Sequence, residues 1–72
     1  MNERNEEIIS TLNFYKDKNV PIHLTLIADT WLNGKVISVS ADRFVLQEEK
    51  LGEMLIFFDR IKDDGIVPRN EK

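Results

Sequence analysis

The 72-residue sequence contains no cysteine, which excludes a disulfide-stapled mini-protein and a zinc site built on thiolates. Ten Lys and Arg against thirteen Asp and Glu give a net charge of −3 at pH 7, which excludes a strongly basic protein that coats nucleic acid. The longest uncharged run, Asn19 to Ala28, is far shorter than the about 20 apolar residues of a membrane span. The first residues are acidic and polar, unlike a signal peptide, so we expect a cytoplasmic protein.

Residue patterns typical of catalysis are also missing. The three glycines form no phosphate-binding loop, and the single histidine, His23, has no Ser and Asp partners at a catalytic spacing. No second ligand accompanies His23 at metal-binding spacing, and a lone histidine on a strand face is usually a surface or packing residue. We therefore expect no enzymatic activity, no cofactor and no metal site.

What remains is the composition of a small globular domain, with 42% hydrophobic and 32% charged residues. We interpret residues 1–72 as a single domain. A chain of about this size buries only about 60% of its unfolded surface and is marginally stable alone. Because no disulfide or evident metal site supplements the core, self-association is the remaining common source of stability.

Hydrophobic periodicity predicts one helix followed by five short strands. Apolar residues at helical spacing predict a helix over about residues 4–17. The period then changes to two, which predicts strands within about residues 21–68, and a short polar tail follows at 69–72. Gly34, inside a strand pattern, indicates a bend or bulge. Tight connections require antiparallel neighbours, so the predicted fold is mainly β: an N-terminal helix and a strongly bent five-stranded antiparallel sheet, as in small SH3-like or OB-like barrels.

The segment from Met54 to Phe58 is almost continuously apolar, which predicts a strand covered on both faces. A short bent sheet also leaves two edges unpaired, and unpaired edges attract partners. If the edge at Leu55–Phe58 pairs with the edge at Ile66-Val67 of a neighbouring copy, every edge is used. Head-to-tail contacts of this kind close into a ring, so we expect a homo-oligomer.

Several motifs follow one another in a recognisable order. These are Leu12-Asn13 late in the helix, Val20-Pro21-Ile22 at the first strand, Leu26 to Gly34 as Leu-Ile-Ala-Asp-Thr-Trp-Leu-Asn-Gly, Asp42 to Val45 as Asp-Arg-Phe-Val, and Leu55 to Ile61 as Leu-Ile-Phe-Phe-Asp-Arg-Ile. In this order they resemble the Sm-like (LSm) proteins, and among these the bacterial RNA chaperone family Hfq. The resemblance implies a hexameric ring that binds U- or A-rich single-stranded RNA and promotes pairing between RNAs in post-transcriptional regulation.

The resemblance also implies candidate RNA contacts. Phe44 matches an aromatic residue that stacks on bases near the pore, and the alternative is a side chain of the core. Arg43 lies beside it as a second candidate contact, and the alternative is a solvated surface charge. Asn13 and Lys16 match the lateral rim, where a plain solvated helix face is the alternative. Trp31 matches a position on the face away from the helix that contacts purine-rich RNA; the alternative is packing beneath the helix or in a subunit contact.

Three departures concern the RNA-binding positions. The Lys-His pair at the family's inner rim is Phe58-Asp59 here, the Gln near the helix start is Ile8, and the Tyr of the first strand is Thr25. At the inner rim we therefore take Phe58 and Asp59 as the candidate contacts. Repeated around a ring, Asp59 repels phosphate unless Arg60 neutralises it or the carboxylate recognises a base edge. The alternative is a surface ion pair of Asp59 with Arg60 or Lys62. The alternative function is a protein-interaction or structural ring that has lost RNA binding.

Overall fold

The computed structural model describes residues 3–69. One helix precedes five strands, and a single-turn 3-10 helix joins the last two strands. The elements are α1 (Glu3–Lys18), β1 (Ile22–Leu26), β2 (Trp31–Val39), β3 (Arg43–Glu48), β4 (Gly52–Phe57), the 3-10 helix (Phe58–Arg60) and β5 (Ile61–Pro68). The predicted fold class is confirmed: the protein is mainly β, with an N-terminal helix and a five-stranded antiparallel sheet. From residue 70 onward, the predicted polar tail lies outside the described residues.

Helix α1 forms because its apolar residues recur on one face, where Ile8 and Leu12 are buried four residues apart. Acidic residues occupy its first turn and basic residues its last, which suits the helix dipole. The helix ends at Lys18, and the next residue, Asn19, has a φ of 58° in the left-handed region that Asn tolerates. The Asn19 N–H donates to the Lys16 carbonyl at 3.1 Å and closes the final turn.

The strand order in the sheet is β4-β3-β2-β1-β5, with every neighbouring pair antiparallel. Register shifts between Val36 and Ser38 on β2, and between Leu24 and Leu26 on β1, bend the sheet. The bulge therefore follows Gly34 by a few residues. Gly34 itself allows close approach, since an added Cβ would overlap the carbonyl oxygen of Gln47. Strands β4 and β5 are the outermost strands, so each leaves one edge unpaired within residues 3–69.

One face of the sheet and the apolar stripe of α1 form a single core. Its buried members are Ile8, Leu12, Ile22, Leu24, Leu32, Val36, Phe44, Leu46, Ile56, Phe58 and Ile61. Phe44 and Phe58 are each 1% exposed, with their ring centres 6.4 Å apart. Because strand side chains alternate between faces, the residues between these core positions form the other face, which we call the outer face.

Arg4 fastens the connection between the two edge strands to the helix. Its guanidinium donates to the carbonyl oxygens of Phe58 at 3.1 Å and Ile61 at 2.5 Å. Its Nε also lies 3.4 Å from Oδ1 of the exposed Asp63. Arg4 thus holds the 3-10 helix in place, and with it the relative direction of β4 and β5.

Candidate nucleic-acid interface

Polar and aromatic side chains gather on the outer face where β1, β2 and β3 lie side by side. In the strand register, His23 opposes Asn33, Thr25 opposes Trp31, and Lys35 opposes Gln47. Residues that oppose each other in antiparallel strands point to the same face. We call the set on this face the polar–aromatic patch: it comprises His23, Trp31, Asn33, Lys35 and Gln47.

Trp31 is the most exposed aromatic side chain of the described residues, at 62%. A tight turn precedes it, in which the Leu26 N–H donates to the Thr30 carbonyl at 2.7 Å and Asp29 adopts a φ of 62°. This turn places Trp31 at the first position of β2, on the face opposite the core. It does not pack beneath the helix, so its indole is available to stack on a planar group.

His23 lies diagonally across from Trp31, with the two ring centres 6.5 Å apart and the ring planes tilted by 34°. Its Nδ1 is 2.7 Å from Oδ1 of Asn33. Both neighbours of His23 in the register, Asn33 on β2 and Val67 on β5, are uncharged. The patch therefore combines a stacking surface with hydrogen-bonding groups that are held in place by one another.

Glu48 supports the patch from the core side of the sheet. Its buried carboxylate accepts hydrogen bonds from the backbone N–H groups of Lys50 at 2.7 Å, Leu51 at 2.8 Å and Asn33 at 3.2 Å. These bonds lower the pKa of Glu48 below its ordinary value, with the Leu51 N–H contributing most. The carboxylate fixes the β3–β4 turn and the backbone of Asn33 together.

The local electrostatics of the patch are mixed. Lys35 is exposed, while Gln47 opposes Glu53 on β4 in the same row. Beyond Asn33, Glu49 forms an ion pair with Arg69. Since the patch holds one cation and the chain carries a net charge of −3, attraction to phosphate is weak here. Affinity for a nucleic acid would come from stacking and hydrogen bonds.

Phe44 and Phe58 lie in the core, which favours the core alternative for Phe44 and places Phe58 away from the surface. Each ring is enclosed by core side chains and presents no face to a base in this conformation. Asp59 lies exposed on the 3-10 helix next to Phe58. Of the two candidate residues of the inner rim, Phe58 therefore lies in the core and Asp59 lies on the surface.

The remaining sequence-predicted residues lie on other parts of the surface. Arg43 begins β3, where Nε pairs with Oδ1 of Asp42 at 2.8 Å and the guanidinium lies 4.9 Å from the Phe57 ring centre. The hydrogen bond from Arg43 lowers the pKa of Asp42. On α1, Asn13 is half-buried, and Lys16 pairs with its neighbour Asp17 at 3.5 Å. None of these residues joins Trp31 in one site.

An apolar surface lies at the β4 edge, where the sequence predicts pairing with a neighbouring copy. Leu55 and Phe57 alternate with the buried Ile56 and are 54% and 41% exposed. They line a cavity of about 290 Å³ together with Ile27 and Arg60. We call Ile27, Leu55 and Phe57 the apolar edge patch. Residues 3–69 do not supply the cover that the sequence predicts for the outer face of β4.

Within residues 3–69, no group of three or more His, Asp or Glu side chains is arranged to hold a metal ion. In the same part of the chain, no helix combines the length and apolar character needed to cross a membrane. No protein-family model matches this chain, and no curated protein is significantly similar to it in sequence.

Proposed function

We propose that the protein binds single-stranded RNA as an Sm-like ring and that the polar–aromatic patch is its main contact surface. The observation that carries this proposal is the exposure of Trp31 beside side chains that can hydrogen-bond to base edges. Stacking of a base on an aromatic side chain contributes about 1–3 kcal/mol and accepts any sequence. Asn33, Gln47 and His23 add donors and acceptors around the indole.

The two free strand edges support assembly into a ring. Among the described residues, 3–69, edge strands β4 and β5 each present unpaired backbone groups, and Leu55 and Phe57 on β4 expose apolar surface beside them. In the proposed ring, β4 of one copy pairs with β5 of the next, where Val67 is also exposed. This arrangement satisfies the backbone groups and covers the apolar edge patch at the same time.

A ring also compensates for the weak attraction between a single polar–aromatic patch and the phosphates of RNA. Each copy presents Trp31 and His23 on the same face of the assembly, so one RNA strand meets several patches in succession. Once the first base is bound, the following contacts form within one complex, and the overall affinity exceeds that of any one patch. The negative charge of the chain favours such summed short-range contacts over a general attraction to phosphate.

The second candidate function is a protein-interaction or structural ring without RNA binding. The apolar edge patch and the net charge of −3 favour it, since neither requires a nucleic acid. Both functions share the ring, so RNA affinity is the property that separates them. In the second function, Trp31 would contact another protein.

The test is a titration of fluorescent oligo-A, oligo-U and a mixed RNA at low and at physiological salt. We expect Trp31→Ala to weaken binding by about tenfold or more. Phe14→Ala is the matched control, because it removes a 55% exposed aromatic from α1, outside the polar–aromatic patch. Binding no tighter than about 10 μM at low salt would contradict RNA binding and favour the second function. Weakening by Phe14→Ala alone would move the contact surface to the helix.

A further inference from the structure

Strand β5 contains an acidic irregularity near its start. Four of its residues, 62–65, stand opposite the single Thr25 of β1, and we call these four residues the β5 bulge. Asp63 and Asp64 within it are exposed, and Asp64 has a φ of 59° in the left-handed region that Asp tolerates. The β5 bulge therefore presents two carboxylates just before residues 66–68, where β5 pairs with β1 again.

A groove of about 430 Å³ lies between the β5 bulge and α1. Its charged lining residues are Arg4, Glu7, Lys62, Asp63 and Asp64. Asp63 lies 3.4 Å from Nε of Arg4, and Nζ of Lys62 lies 3.7 Å from Oδ1 of Asp29. Within residues 3–69, neither Glu7 nor Asp64 forms an ion pair. The groove therefore holds two carboxylates that no cation in this part of the chain neutralises.

A charge of the opposite sign follows the end of β4. Arg60 lines the cavity at the apolar edge patch next to Phe57, whereas Asp59 is not part of that lining. The Arg60 carbonyl accepts a hydrogen bond from the Ile27 N–H at 2.9 Å, which holds the turn in place. Among the described residues, the Arg60 guanidinium has no ion-pair partner. The β4 edge therefore ends in an unpaired cation beside exposed apolar side chains.

The two edges match each other in spacing. Phe57 and Val67 both lie on the outer face, where they oppose Arg43 and His23 in the register. Arg60 follows Phe57 by three residues, and Asp64 precedes Val67 by three residues. In an antiparallel pair, the residues after one strand and those before the other lie beyond the same end of the paired segment. Pairing of Phe57 with Val67 of a neighbouring copy therefore brings Arg60 close to Asp64 of that copy.

We propose that Arg60 of one copy docks against Asp64 of the next copy, at the groove beside the β5 bulge, and that this ion pair sets the register of the ring contact. The inference rests on the ring of the proposed function and names the pair of residues that orients it. A shift of two residues would keep the apolar side chains on the same face but would separate the two charges. Complementary charges of this kind favour one alignment over its competitors.

The experiment reverses each charge in the full chain and measures association by sedimentation and native mass spectrometry. Arg60→Asp places two carboxylates at every contact, and Asp64→Arg places two guanidinium groups there. We expect each variant alone to associate about tenfold or more weakly than the native protein. A mixture of the two variants should assemble again, with equal numbers of both chains. In the mixture the new carboxylate meets the new guanidinium at one contact, and the native pair forms at the next.

A pair of double variants controls for net charge. Arg60→Asp combined with Asp64→Arg should assemble like the native protein. Arg60→Asp combined with Glu6→Arg has the same net charge but changes an exposed residue of α1, so its association should stay weak. Circular dichroism of the single variants checks that they fold. An arginine at a φ of 59° has the same backbone cost alone and in the mixture, so this cost cannot produce the recovery.

Single variants that associate like the native protein, or a mixture that stays as weak as its components, would overturn the inference and leave the ring intact. Equal recovery with Glu6→Arg would overturn it as well, because net charge and not this contact would then control assembly. A native protein that remains monomeric at high concentration would overturn both the inference and the proposed ring.

Discussion

The polar–aromatic patch and the apolar edge patch occupy the same sheet but differ in how their side chains are satisfied. In the first, His23 and Asn33 hydrogen-bond to each other, and Trp31 lies beside them. In the second, Leu55 and Phe57 project next to an unpaired strand edge. Polar groups that already have hydrogen-bond partners can stay solvated and bind and release a ligand. Exposed apolar groups, in contrast, are stabilised only when another surface covers them permanently. We therefore associate the first patch with RNA and the second with a neighbouring copy.

The largest expected effect is the loss of assembly on Leu55→Asp, at an exposed position of β4 that opposes the uncharged Val45. A carboxylate without a partner at a buried interface costs about 3–5 kcal/mol, which corresponds to more than a hundredfold weaker association. Sedimentation or native mass spectrometry measures the species present. Ile37→Asp is the control, because it places the same charge on an exposed residue of β2 outside both patches. A native protein that stays monomeric at high concentration would contradict the assignment of the apolar edge patch to a neighbouring copy.

Two aromatic substitutions sharpen the contrast between an exposed and a buried ring. Phe44→Ala should lower the free energy of unfolding by about 3–5 kcal/mol, because it empties part of the core. Trp31→Ala should change it by less than about 1 kcal/mol, since the indole is mostly exposed. Urea unfolding followed by circular dichroism measures both. A large loss of stability in Trp31→Ala would mean that the indole serves packing rather than binding.

Glu48, which supports the polar–aromatic patch, makes the free energy of unfolding depend on pH. Its pKa is lowered in the folded protein, so protons bind the unfolded state more readily. The carboxylate therefore stabilises the fold above the ordinary glutamate value of 4.5 and loses this effect as the pH falls through the lower folded value.

We expect Glu48→Gln to be less stable than the native protein at neutral pH and to lose less further stability in acid. Urea unfolding measured at a series of pH values tests both expectations. The exposed Glu53→Gln serves as the control and should follow the native curve. Parallel curves for Glu48→Gln and the native protein would show that the three backbone bonds to the carboxylate do not stabilise the fold.

The smallest expected effect is a change in the salt dependence of RNA affinity. Each phosphate of a single strand that a cation neutralises contributes about 0.7 to the slope of log affinity against log salt concentration. Lys35→Ala should therefore reduce the slope for oligo-A by about 0.7 without changing the assembly. Lys50→Ala, in the β3–β4 turn, is the matched control. A steep slope in the native protein that Lys35→Ala does not alter would place the phosphate contacts elsewhere.

Most of the fold could be predicted because its signals act over a few residues. The helical spacing of Ile8 and Leu12, and the period of two from residue 22 onward, follow directly from which residues must face a core. Gly34 was expected to mark a bend. The shift in register instead falls between Val36 and Ser38, and Gly34 permits the close approach of Gln47. Local patterns do not specify which of several nearby residues carries a bulge.

The candidate surface could be predicted only in part. Trp31 was identified, and the structure exposes it. Its partners, His23 and Asn33, lie ten residues apart and meet only through the register of β1 against β2. Phe44 was open to two interpretations, and the packing of both sheet and helix around its ring resolved them in favour of the core.

The composition and periodicity of this chain were enough to specify a small mainly β domain with one helix, because burial imposes those patterns on neighbouring residues. They were not enough to predict that Phe57 is exposed and Phe58 is buried. Phe57 ends β4 on the outer face, whereas Phe58 begins a 3-10 turn that carries its ring back into the core. That assignment depends on where the strand stops and on the clamp of Arg4 on the turn, 54 residues away in sequence. Contacts over such distances arise only when the whole chain has folded.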